Sequence, residues 1–335
     1  MHIVHLDGIH APPPTFSQSF QYTYKSHDST PPDDSVIISR LKDTDVVITT
    51  RIPITEATLS VCPRLKLVAV MAIGTDMIDL AACKKHRVTV SNVPAASNES
   101  VCEHAIALYF ALRRNVVRMH DLTSMGSLWR QKMTLKSEFG ECPRTCRQEI
   151  AGIFGGGELG NRVATMARAL GMKAQFADRK GASTVREGRV AFEECLKTST
   201  VLFLTLPLSA ETLNMISTPE FKLMRSDVLI VNVARGGIIN EEALVQAIKD
   251  REIGAAATDV YVEEPAGLEN NVLVRAANDW AEGERKGGIL AELNGRLVLT
   301  PHIAWFASSS LDKLRRTVAS NIEAWARGEA TNIVL

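Results

Sequence analysis

Three glycines constrain this chain more than any other feature. Gly155, Gly157 and Gly160 stand in the string IFGGGELG, after the apolar run EIAGIF and at the head of the helical pattern ELGNRVATMARALG. Asp178 closes the next apolar run, KAQFAD, 18 residues after Gly160. A GxGxxG string alone is weak, because 21 glycines make chance matches easy. Between a strand and a helix it has physical content. The first glycine permits a tight turn and the second lets a pyrophosphate approach the backbone. The third lets helix and strand pack closely, and the helix N-terminus faces the phosphates. Gly155, Gly157, Glu158, Leu159 and Gly160 are therefore candidate cofactor-binding residues. Asp178 is expected to accept hydrogen bonds from the adenosine ribose, and its charge disfavours a 2′-phosphate. That favours NAD over NADP. Arg179, itself a cofactor-site candidate, and Lys180 follow at once and weaken the preference.

The rest of the chain repeats the alternation of strand and helix. In the first hundred residues HIVHLD, DVVITT, LKLVAVMA and VTVSNV read as strands, with VIISRL as helix or strand entry and TEATLSVC and IDLAACKKH as helices. The Pro-, Ser- and Asp-rich stretches near Pro12–Pro14 and Ser29–Ser35 read as loop. A helix is expected from Ser97 to about Met119, where Val101, Ala105, Leu108 and Leu112 recur at spacings of three and four. Ser124 to Arg147 is polar and irregular and reads as a connection across a domain boundary. After the glycine turn, VLFLTLP, VLIVNV, AAATDV and LVLTPH continue the strands. Their near-continuous apolar runs suit buried parallel strands. Such alternation implies doubly wound parallel sheets. At roughly 100–200 residues per domain, 335 residues suggest two. The closing helix SSLDKLRRTVASNIEAWARG has no strand of its own in the second series. It is expected to return to the first domain, making two crossovers, a hinge and a cleft.

Apolar residues make up 45% and charged residues 23%, with a formal net charge of zero. Nothing there marks a nucleic-acid or acidic-membrane binder. No run of about 18 apolar residues exists, so no membrane span is expected. MHIVHLDGIHAPPP reads as a first strand, not a signal peptide. Six cysteines in a chain this long read as free thiols of a cytoplasmic protein, with no metal site.

Chemistry-bearing residues follow three strand ends. Arg235 follows VLIVNV, Glu263 and Glu264 follow AAATDV, and His302 follows LVLTP. Open parallel sheets bind ligands at that edge. A cation, a carboxylate and an imidazole there suit reduction of a 2-keto acid, which needs its carboxylate held and its carbonyl oxygen protonated.

These strings resemble the D-isomer-specific 2-hydroxyacid dehydrogenase family. The matching segments are GGGELG, FADRKG, LPLSAETLN, NVARGGIINEEALVQAI, TDVYVEEP and LTPHIAW, with TTRIPIT, MAIGTDMIDLAA, VSNVPAASNESVCEH and ALRR in the first half. Within the family the chain looks most like the glycerate dehydrogenase, or hydroxypyruvate reductase, branch. The resemblance implies a flavodoxin-like substrate domain (1–101 and 303–335) and a Rossmann NAD-binding domain (102–302). It implies hydride transfer between NAD(H) and a small 2-keto or D-2-hydroxy acid, and a homodimer formed through the cofactor domain. Arg235 would bind the substrate carboxylate, His302 would donate the proton and Glu264 would pair with His302. Asp259 would contact the nicotinamide carboxamide. Ile73 and Gly74 would offer backbone N–H groups to the substrate, and Arg51 is a candidate at its mouth. Leu206 and Pro207 would line the cofactor, Thr212 would set their loop, Ala234 is a further cofactor-binding candidate, and Ser100 would lie near the nicotinamide.

Two departures bear on the substrate. Ile73 stands where a small or hydroxyl-bearing residue is common, and Leu268 to Gly295 is longer than the usual loop, with an extra helix expected near NDWAEGERKG that serves as a lid, an interface element or an inert insertion. The alternatives are a dehydrogenase for a bulkier keto acid and an NAD(H)-sensing binding protein of the corepressor type.

Overall fold

The computed structural model describes residues 1–124, 126–139, 142–286 and 293–335. The chain divides into two units, Met1–Ser97 with Trp305–Leu335, and Asn98–Ala304. The junctions thus fall at 97/98 and 304/305 rather than at 101/102 and 302/303.

The first unit holds five parallel strands: β1 (His2–His5), β2 (Thr23–Ser26), β3 (Val46–Thr49), β4 (Leu67–Val70) and β5 (Thr89–Ser91), in the order β2-β1-β3-β4-β5. Successive side chains point to opposite faces. Val4, Val47, Val68 and Val90 accordingly meet Ile37, Leu41, Leu59 and Cys83 of the helices Asp34–Leu41, Glu56–Val61 and Leu80–His86. Ile3, Val46, Ile48, Leu67 and Ala69 meet Leu314, Val318 and Ile322 of the closing helix, Ser308–Ala326. That helix does return to the first sheet. Capping is local: the Asp33 carboxylate accepts from Ser35 and Val36 N–H, and Asp79 from Ala82 N–H, each satisfying a first-turn donor.

The second unit is a seven-stranded parallel sheet: β6 (Ile150–Phe154), β7 (Lys173–Ala177), β8 (Arg189–Val190), β9 (Val201–Leu204), β10 (Leu229–Asn232), β11 (Ala255–Thr258) and β12 (Leu297–Leu299). The order is β12-β11-β10-β9-β6-β7-β8, so the strand order reverses at β6. One face is covered by Asn98–Arg113 and Glu158–Ala169, through Cys102, Leu108, Tyr109, Val163 and Ala167. The other is covered by Phe192–Thr198, Glu241–Lys249 and Val272–Lys286.

Two expectations need correction here. The helix expected to run to Met119 ends at Arg113, because Asn115 adopts φ +50°, and a second helix spans Val116–Ser124. The segment read as a connection across a domain boundary lies inside this unit, with a short helix at Leu128–Lys132. In the long stretch before β12 the extra helix expected near NDWAEGERKG does form, over Val272–Lys286. Its Leu273, Ala276 and Trp280 join the core, Trp280 being 1% exposed. Truncating such a residue typically costs about 3–5 kcal/mol. The ERKGG string, read at the centre of that stretch, runs into residues 287–292, which lie outside the described residues.

Candidate active site

The parallel register puts the strand ends in one row. Phe154 pairs with Leu204, Leu204 with Asn232, Asn232 with Thr258, and Thr258 with Leu299. Beside them, Ala177 ends β7 and pairs with Val190. The glycine turn, Asp178, the 205–212 loop, Arg235, Asp259, Glu264 and His302 therefore all leave the same edge of one sheet.

At the glycine turn, Gly155 adopts φ +117°, and a Cβ there would stand 2.7 Å from the backbone of Thr205. Both facts require glycine. A Cβ on Gly160 would overlap the Gly155 carbonyl, so helix and strand touch through backbone. Gly157 differs, since nothing lies within 4 Å of the Cβ position. It is the N-cap of Glu158–Ala169 and offers no side-chain cap to the helix N–H groups. Open space before uncapped donors fits a pyrophosphate. Glu158 accepts from Arg162 Nε at 3.2 Å, and Leu159 packs against the core beneath.

Thr212 ties the next loop to itself. Its hydroxyl donates to the Pro207 carbonyl at 2.8 Å and accepts from Ser209 N–H at 2.7 Å. Leu206 is half-buried and Pro207 exposed. Ser100 is buried on the Asn98–Arg113 helix.

Arg235 lies beyond β10 on a turn tied down by Asn232, whose side chain accepts from Ala234 N–H (3.1 Å) and donates to the Arg235 carbonyl (3.0 Å). Arg235 Nη1 donates to the Ala234 carbonyl at 2.7 Å. The following Gly236 has no room for a side chain, because a Cβ would overlap the Tyr261 carbonyl. The turn carrying Arg235 is thus in backbone contact with the turn carrying Glu264. Glu241 adds a clasp, its carboxylate accepting from Val262 N–H and Asn271 Nδ2, both at 2.8 Å. Burial lifts its carboxyl above the usual carboxylate range.

Glu264, which precedes Pro265 through a cis peptide, approaches His302 directly, with Oε2 2.6 Å from Nδ1. Its Oε1 accepts from Tyr261 N–H at 3.0 Å. His302 adopts φ +50°, so its placement is imposed by what surrounds it. Asp259 supplies much of that constraint. Its Oδ1 accepts from Thr300 Oγ1 (2.6 Å) and Ile303 N–H (3.0 Å), and its Oδ2 from Ala304 N–H (2.8 Å). Asp259 thereby tethers the backbone on both sides of His302. His104 Nε2 joins the tether 3.0 Å from Thr300 Oγ1.

Asp178 is buried and fully engaged. Its Oδ1 accepts from Arg179 N–H (2.7 Å) and from Nε (2.8 Å) and Nη2 of Arg186, and its Oδ2 accepts from Arg186 N–H (2.7 Å). The Arg186 side chain holds the Asp178 carboxyl well below the usual carboxylate range. Lys180 is turned away to Glu220 Oε1 and the Met215 carbonyl.

In the first unit, Ile73 is exposed and its carbonyl accepts from Asn92 Nδ2 at 2.7 Å. Gly74 is half-buried beside it. Arg51 donates its backbone N–H to Asp7 Oδ2 at 2.7 Å.

Sequence reasoning missed Asn232, Glu241, Tyr261, Arg186 and Arg189. The first three could have been sought as polar residues flanking the strand ends. No motif marks the two arginines. No group of three or more metal-ligating side chains occurs among the described residues, and no helix there is long and apolar enough to cross a membrane.

A parallel sheet whose order reverses at a glycine turn, with an imidazole–carboxylate pair on the same edge, defines a dinucleotide-dependent oxidoreductase. Residues 106–304 match the family described as D-isomer specific 2-hydroxyacid dehydrogenase, NAD binding domain. A putative 2-hydroxyacid dehydrogenase of Haemophilus influenzae is 33% identical over 318 residues, covering 92% of each chain. The glycerate dehydrogenase of Methylorubrum extorquens is 33% identical, covering 94% of this chain and 93% of its own. The structure of D-lactate dehydrogenase from Aquifex aeolicus, complexed with NAD and lactic acid, superposes with a TM-score of 0.75 at 26% identity, covering 98% of this chain and 96% of that one. The chain belongs to the D-isomer-specific 2-hydroxyacid dehydrogenase family and is an NAD-dependent enzyme of that family.

Proposed function

We propose that this enzyme reduces a small 2-keto acid of the hydroxypyruvate or glyoxylate kind to the D-2-hydroxy acid, with NADH. The observation that carries the reading is the 2.6 Å Glu264–His302 pair on the strand edge that begins with the glycine turn. The similarity to the glycerate dehydrogenase of Methylorubrum extorquens supports the substrate class.

Bound NADH supplies the hydride. Arg235 binds the substrate carboxylate, for which a guanidinium fork is the geometric match. His302 has Nδ1 turned to Glu264, so Nε2 is the nitrogen assigned to the carbonyl oxygen. It gives up its proton as the carbonyl carbon is reduced, and solvent restores it. Glu264 holds the imidazole and Asp259 holds the backbone on either side of it. Both are positioning residues in this scheme. The Gly155–Gly160 turn binds the pyrophosphate, and Leu206, Pro207 and Ala234 line the cofactor.

The test is NADH oxidation with hydroxypyruvate, glyoxylate, pyruvate and bulkier 2-keto acids. Turnover greatest with the first two, and lost in a folded His302→Ala protein, is expected. Tight NADH binding with no turnover would instead favour the binding-protein reading. The proposal includes a cytoplasmic homodimer joined through the dinucleotide unit. Free cysteines and the exposed Trp129 and Met133 of that unit support it. Light scattering should give twice 36.6 kDa.

A further inference from the structure

Asp178 is the one carboxylate at the end of β7, and a single residue supplies three of its four donors. Arg186 reaches it through Nε, Nη2 and its own backbone N–H. Three of the four donors fall on Oδ1 and one on Oδ2, so of the carboxylate's roughly four lone-pair sites one on Oδ2 is left where a ribose diol asks for two. The Arg186 side chain is 51% exposed while that of Asp178 is 2% exposed, so the guanidinium lies between the carboxylate and solvent. A second cation stands close by. Arg189 donates to the Ala177 carbonyl at 3.0 Å, and a Cβ on Gly156 would collide with its Nη2, so it covers the first half of the glycine turn. An acidic residue here selects the unphosphorylated ribose only while its charge and lone pairs are available, and an arginine accommodates a 2′-phosphate.

We propose that Arg186 sets the choice between NAD(H) and NADP(H), by competing with the ribose diol for Asp178 and by presenting a guanidinium to a 2′-phosphate. This rests on reading Gly155–Gly160 as the dinucleotide turn. To admit NADH, Arg186 must release part of its hold on Asp178. To admit NADPH, it keeps the fork and gains a second anion. The two cofactors therefore respond oppositely to its removal.

The experiment is a fluorescence titration of the whole protein with NADH and with NADPH, without substrate, for the unmodified chain, Arg186→Ala and Asp178→Ala. Arg186→Ala should raise the ratio of the NADPH to the NADH dissociation constant by about tenfold or more, the loss of one charge-assisted contact. Asp178→Ala should move the ratio the other way. Arg186→Gln gives the same test if the alanine variant does not fold, and it should shift the ratio in the same direction. A ratio in the arginine variants within about twofold of the unmodified protein overturns the assignment of Arg186. Binding of neither cofactor to the unmodified protein overturns the dinucleotide reading and this proposal with it.

Discussion

The carboxylate of Glu264 serves two donors at once, with Oε2 at 2.6 Å from His302 Nδ1 and Oε1 at 3.0 Å from the backbone N–H of Tyr261. A glutamine offers only one oxygen to those two positions and turns an N–H₂ group toward the other. Glu264→Gln should lower kcat by roughly 10–100-fold, and His302→Ala by roughly 10²–10⁴-fold, the usual range for a general acid. Because the two residues act as a unit, the double variant should be no slower than His302→Ala alone. Steady-state NADH oxidation checks this, and additive losses would refute the coupling.

Gly236 joins the turn that carries Arg235 to the one that carries Glu264, because its α-carbon lies against the Tyr261 carbonyl. Gly236→Ala must push the two turns apart. Overpacking of this kind costs about 1–3 kcal/mol, and a displacement of about 1 Å at a reacting site can cost 100-fold in rate. The expected result is a loss of kcat/KM near that size with NADH affinity, measured by fluorescence, within about twofold. Unchanged turnover would show that the turns are independent.

Thiol reactivity tests the core assignments. Burial pushes the thiols of Cys83, Cys102 and Cys195 up to about 11, while Cys142 is exposed. A thiolate is the reactive form, so a neutral thiol reagent at pH 8 should label Cys142 quickly and Cys146 more slowly. Cys83, Cys102 and Cys195 should react only after denaturant is added. Fast labelling of any of those three, located by mass spectrometry, would contradict the packing of its helix or strand.

Much of this organisation was legible because buried parallel strands write themselves as apolar runs. β3, β4, β9, β10 and β11 are buried along their whole length. The glycine turn was legible because Gly155 and Gly160 meet a backbone requirement that only glycine can. β2 was not, since its residues TYKS are largely exposed at a sheet edge. Trp280 stands beside Asp279 and two residues before Glu282, in a helix that turns charged toward its end, and only tertiary packing shows it entering the core. Glu264 and His302 lie 38 residues apart, and the adjacency of β11 and β12 is what joins them. Arg186 looks like any solvated arginine in a polar loop, because what distinguishes it is the carboxylate eight residues before it.

Glu241 gives the clearest dependence on pH. Burial raises its carboxyl above the ordinary range, so the folded state holds that proton more tightly than the unfolded chain, where the value is about 4.3. By linkage, stability from this group is fully present below the unfolded value and is lost as pH rises to the folded one. Glu241→Gln removes the titration while keeping one oxygen for Val262 N–H. Its amide N–H₂ then faces Asn271 Nδ2, whose own oxygen is occupied by the Leu273 and Val274 N–H groups, so a cost independent of pH remains. Urea unfolding of both proteins between pH 4 and 7 should therefore show the variant gaining on the unmodified protein as pH rises. The change should centre above 4.3. Two stability curves that stay parallel across that interval would mean that Glu241 carries its charge at no cost, and that the clasp between the Arg235 and Glu264 turns is looser than the structure shows.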